Sequence, residues 1–158
     1  MLFAGGEELE AHLVAGAAAA PPELAPLEVL LSAFATAQEV FRPLDFLVQR
    51  AAVIAASPPL QERELIKLAS LATALATALV SRGVHERTAQ FAADMGMSVL
   101  RMASEGWITD NRRPFAAHLR SAAEELRRIA DQVTSDGGPP CADDQRNGAP
   151  VHSPPQNR

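Results

Sequence analysis

Residues 88–107 constrain the fold more than any other stretch, because their apolar side chains fall on two helical faces instead of one. Ala89, Ala93, Gly96, Leu100, Ala103 and Trp107 recur at spacings of four and three, and Phe91, Met95, Val99 and Met102 form a second row beside them. Gln90, Asp94, Arg101 and Glu105 hold the one polar stripe, so other helices or a partner chain must cover most of the circumference. The spacing therefore predicts a helix in the middle of the molecule. Its first row is small and admits a close backbone, whereas its second is bulky and contains sulfur, which suits either a pocket or a filled core.

The remaining elements are set out by prolines. Ala, Leu, Glu and Arg dominate up to about residue 134 and aromatic residues make up only 4%, so the expectation is all-α: an orthogonal or antiparallel bundle of about six helices over residues 1–134. Glu7 to Ala18 shows a short helical pattern through Leu9 and Leu13, ended by Pro21-Pro22. Pro26 opens a second helix through Leu27, Leu30, Leu31, Phe34, Ala37 and Phe41, expected to stop near Arg42. Pro43 opens a third, with Phe46, Leu47, Arg50, Val53 and Ile54, which ends at Ser57-Pro58-Pro59 because a residue before proline avoids the helical region. Leu60 to Arg82 is the longest, with Leu65, Leu68, Leu71 or Ala72, Leu75 and Leu79 on one face and Gly83 as its C-terminal cap. After the central helix, Asn111 is a cap candidate and Pro114 opens the last helix. There Phe115, Leu119, Ala122, Leu126, Ile129 and Val133 form a narrow seam of the coiled-coil kind. Residues 135–158 change to Pro, Gly, Asp, Asn and Gln and are expected to be a disordered tail.

Composition excludes several classes of function. A formal net charge of −5 argues against an extensive nucleic-acid surface. Arg112, Arg113, Arg120, Arg127 and Arg128 are interleaved with Glu124, Glu125 and Asp131 and read as a solvated face of mixed sign. The single cysteine, Cys141, fits a reducing compartment. No secretory signal is visible, and the longest apolar run, Ala69 to Val80, is too short to span a bilayer, so a cytoplasmic protein without membrane contact is expected. No glycine-rich phosphate loop, HExxH or cysteine pair is present, and His12, His85, His118 and His152 lack ligand spacing. No catalytic residue, metal or cofactor is predicted, and the chain does not read as an enzyme.

One family matches the order of these features. Glu7-Glu8-Leu9, the segment from Pro22 to Leu31, and the turn Ala55-Ala56-Ser57-Pro58-Pro59-Leu60 come first. Gln61-Glu62-Arg63, a long Ala/Leu helix ending in Ser81-Arg82-Gly83, and a helix closing on Trp107 follow. Together they resemble the C-terminal domain of TetR-type transcriptional regulators, particularly the mycofactocin-regulator branch that binds acyl-CoA-like ligands. The resemblance covers about Leu2 to Ile129, and no counterpart of the family's N-terminal helix-turn-helix unit precedes it. It implies a homodimer in which the last two helices pair with their twins in a four-helix interface, drawn from Ala89, Ala93, Gly96, Leu100, Phe115, Leu119, Ala122, Leu126 and Ile129. It also implies a pocket for an apolar molecule such as an acyl-CoA or fatty acid, with candidate residues Phe46, Arg50, Val53, Leu68, Leu71, Phe91, Met95 and Met102. Arg50, the one basic residue among apolar neighbours on its helix, would meet an acidic or phosphate-bearing head.

The expected function is a regulatory ligand-binding and dimerisation domain, without direct DNA binding by these residues. The alternative is a structural dimerisation module with a filled core, pairing with itself or with a full-length relative. A cavity of several hundred Å³ among the helices separates the two.

Overall fold

In the computed structural model, which describes residues 6–41 and 43–135, every regular element is a helix. The helices are α1 (Gly6–Ala19), α2 (Pro26–Ala35), α3 (Leu44–Ala55), α4 (Pro58–Ser81), α5 (Glu86–Thr109) and α6 (Phe115–Ser135), with a 3₁₀ turn at Ala37–Val40. Readings that fall on residues 1–5, Arg42 and residues 136–158, the expected tail with Cys141 and His152 among them, lie outside the described residues.

The two-faced helix is central, since α5 packs on α2, α3, α4 and α6. Ala89, Ala93, Gly96, Leu100 and Ala103 are all buried. Space is tight at Gly96, where a Cβ would stand 3.0 Å from Leu30 Cδ1 and 3.3 Å from Phe34 Cε2 of α2. Gly16 gives α2 the same room on its other side, where a Cβ would meet Ala33 Cβ at 3.1 Å. Small residues on α1 and α5 thus let α2 approach both closely. The core they enclose includes Leu9, Leu13, Leu30, Phe34, Leu75, Leu79, Val99 and Phe115.

Helix ends follow local chemistry, and some differ from expectation. The second helix stops at Ala35, well short of Arg42. There the Thr36 hydroxyl donates to Ala33 O at 2.8 Å and the Thr36 N–H to the same carbonyl at 3.2 Å, which tightens the backbone into the 3₁₀ turn. That turn delivers Phe41 to an aromatic cluster, with ring centroids 5.5 Å from Trp107 and 4.8 Å from Phe115, the latter edge to face. Helix α4 begins at Pro58, earlier than expected: its first two residues are prolines, and no helical acceptor exists for an N–H there. It ends as the glycine predicts. Gly83 adopts φ 91°, its N–H reaching Val80 O at 2.8 Å while the Val84 N–H reaches Leu79 O at 3.2 Å, a Schellman closure. Asn111 stands ahead of α6 and does not cap it; in that turn Asp110 Oδ1 accepts from the Arg112 N–H at 3.2 Å.

Arg82, at the C-terminus of α4, satisfies the end of another helix. Its Nη1 donates to Ala17 O at 3.2 Å, Ala18 O at 3.3 Å and Ala20 O at 2.9 Å, and its Nη2 to Pro21 O at 2.7 Å. These carbonyls lie at and just beyond the C-terminal end of α1, where a cation is also favoured by the helix dipole. Measured as a whole helix and not as the run Ala69 to Val80, α4 is long and apolar enough to cross a membrane by length and composition only. Its face of Leu71, Leu75 and Leu79 is buried in the core of this bundle.

Candidate functional site

Helix α3 has one fully buried residue, Leu47, and rests mainly on α4. Its edge toward α5 carries Ala51, Ile54 and Ala55, and the two alanines leave the gap to α5 unbridged. The result is a cleft of about 680 Å³ between α3, the first half of α4 and the second half of α5. Ala51, Ile54, Ala55, Leu65, Leu68, Met97, Leu100 and Ile108 supply its apolar walls. Gln61, Glu64, Ser98, Arg101, Glu105 and Thr109 supply polar groups.

Most of that polarity is already used. Ser104, buried on the α5 wall, donates from Oγ to Leu100 O at 2.8 Å, which takes its hydroxyl out of play. Arg101 pairs with Glu105 one turn on, at 3.1 Å, with both side chains more than half exposed, so the pair contributes little to stability. Glu64 Oε2 lies 3.4 Å from Arg50 Nη2 across the α3–α4 contact, with side chains 15% and 26% exposed. No group of three His, Cys, Asp or Glu suited to a metal occurs among the described residues. His118 is buried, but its Nε2 lies 2.8 Å from Asp110 O and it does not line the cleft. The walls of the cleft are mainly apolar, and the polar side chains along them are largely engaged within the chain.

The structure scatters the residues expected to line one pocket. Leu68 is in the cleft. Phe46, Arg50 and Val53 lie in a neighbouring groove of about 530 Å³ between α3 and α4, which meets the cleft at Ile54 and Glu64. Leu71 is buried in the core at 1% exposure. Phe91 is 67% exposed and lines a surface depression near the start of α5. Met95 is half-buried and Met102 exposed, and neither faces the cleft. The reason is rotational: Met95 and Met97 are two residues apart, about 200° around a helix, so the sulfur-bearing row and the cleft wall point different ways. The residues missed on α5, Met97, Ser104 and Ile108, share one edge at helical spacing between the small row and the polar stripe. That edge, together with the small Ala51 and Ala55 on α3, was the available signal.

The residues assigned to a dimer seam also divide. Ala89, Ala93, Gly96, Leu100, Phe115, Leu119 and Ala122 are buried within the chain, Gly96 directly under α2, so the premise that they need a second copy for cover is corrected. Leu126 is half-buried against the core, and Ile129 is 50% exposed. What remains uncovered on these two helices is Phe91, Met102, Ile129 and Val133. No protein-family model and no curated protein matches the chain.

Proposed function

We propose that this chain is the regulatory ligand-binding and dimerisation domain of a TetR-like transcriptional regulator, sensing an apolar acyl-type small molecule. The observation that carries the reading is the cleft of about 680 Å³, within the size range of small-molecule sites and mainly apolar along its walls. The ligand class rests on the resemblance, in particular on the Ser57-Pro58-Pro59 turn and the helix ending at Gly83. In this reading an acyl chain lies along Ile54, Leu65, Leu68, Leu100 and Ile108, with its polar end toward Gln61 and Thr109. Helix α3 is the natural responder, because it has the least burial of its own and gains contact with α5 when the cleft is filled.

Thermal shift with free fatty acids and acyl-CoAs of graded chain length tests this. A ligand at a hundredfold excess over its dissociation constant adds about 2.7 kcal/mol of stability, and the melting temperature rises by several degrees. Ser98→Trp, at an exposed position on the cleft wall, fills the space and removes the response. Absence of a shift at every chain length sinks the reading. A structural dimerisation module would then remain, favoured by the exposed Phe91, Met102, Ile129 and Val133.

A further inference from the structure

The second groove has a chemistry of its own. Helix α3 contributes Phe46 and Val53, 50% and 59% exposed, as an apolar lip. Helix α4 faces them with Arg63 and Lys67, and the Arg50–Glu64 pair lies where the helices meet. Three cations therefore border one carboxylate in a chain whose formal net charge is −5.

Arg63 and Lys67 are one helical turn apart, a spacing at which like charges repel. Neither forms an ion pair among the described residues, whereas Arg50, Arg101 and Arg128 each do. On a protein rich in carboxylates, local repulsion beside uncovered apolar side chains is an arrangement that an anion with an apolar body would relieve. Its charge would sit between Arg63 and Lys67, and its hydrocarbon on Phe46 and Val53. At about 530 Å³ the groove holds a small amphiphile. Arg50 borders it too, fixed by Glu64 at 3.4 Å, and its planar guanidinium suits two-point contact with a carboxylate or phosphate.

We propose that this groove is a binding site for the phosphate or carboxylate end of a small anionic amphiphile, one that adjoins the cleft at Ile54 and Glu64 but has its own cations in Arg50, Arg63 and Lys67. The site stands whether or not that cleft takes up an acyl chain.

Calorimetric titration with octyl phosphate, octanoate, octanol and inorganic phosphate tests it, on the wild-type chain, Arg63→Gln, Lys67→Gln, the double variant and Ser98→Trp. Arg63 and Lys67 are exposed and outside the core, so their substitution leaves the fold in place. The expected result is that both octyl anions bind the wild type and Ser98→Trp equally well. Each single substitution weakens them about tenfold, equivalent to about 1.4 kcal/mol, and added salt weakens them further. Tighter binding of octyl phosphate than of octanoate identifies a phosphate head, and equal binding shows that a carboxylate suffices. The proposal is overturned if octanol binds as well as the anions, if inorganic phosphate binds as tightly as octyl phosphate, if the double variant is unaffected, or if Ser98→Trp abolishes binding.

Discussion

Arg82 shows how much one side chain on this fold can hold. The end of α1 leaves carbonyls without helical partners, and the guanidinium answers Ala17 and Ala18 there and Ala20 and Pro21 just beyond, from another helix. Hydrogen bonds to a charged group are worth more than neutral ones, so Arg82→Met is expected to cost about 2 kcal/mol in urea denaturation. Arg82→Lys should recover only part of that, since an ammonium is a point charge without the planar fork. Two glycines separate space from conformation in the same way. At Gly96, Ala gains about 1 kcal/mol of helix propensity but presses on the movable end of Leu30, so Gly96→Ala should be near neutral. Gly96→Val adds branches against Leu30 and Phe34 and should cost about 2 kcal/mol. At Gly83 nothing lies within 4 Å, yet φ 91° alone makes Gly83→Ala cost about 1 kcal/mol. Equal effects of the three glycine substitutions on the urea midpoint would contradict this division.

Among the elements, α3 and α5 lie at opposite ends of local stability. With Leu47 as its one fully buried residue, α3 is expected to exchange its amide hydrogens fastest of the helices from α2 to α5, and α5 slowest. A bound ligand in the cleft should slow α3 selectively. Protection of α3 equal to that of α5 without ligand would count against its role as responder. The elements themselves were largely legible, because proline boundaries and the 3.6-residue period state where a helix runs and which face is apolar. What neither signal states is which neighbour covers that face. The small row of α5 fits another subunit's backbone or α2 equally well, and only Leu30 and Phe34 packed over Gly96 decide it. The helix predicted through Phe41 failed for a similar reason: the period survives the break at Thr36, since Ala37 remains buried while the backbone changes to 3₁₀.

For the whole molecule, the proposed dimer has to use the exposed end of the seam, Ile129 and Val133, with Phe91 and Met102, and not its buried start. Ile129→Lys with Val133→Lys is the informative substitution, because both residues are exposed in the single chain and their loss leaves its core intact. Sedimentation should give a dimer for the wild type and a monomer for the double variant, with helical content unchanged; a wild-type monomer at micromolar concentration would remove dimerisation from the proposed function. The cleft was less legible than the bundle, since it arises from what α3 fails to fill, and an alanine announces no cavity until its opposing helix is placed. Arg82 also bears on the order of assembly. Its acceptors lie 61 to 65 positions earlier in the chain, so at 5–20 residues per second the ribosome needs roughly 3–13 s to deliver the clamp after α1 has been made. A 14-residue helix is marginal alone. Helix α2 packs against α1 early, but the C-terminal end of α1 is secured only once the end of α4 has been made, and until then that end is open to a chaperone or a protease.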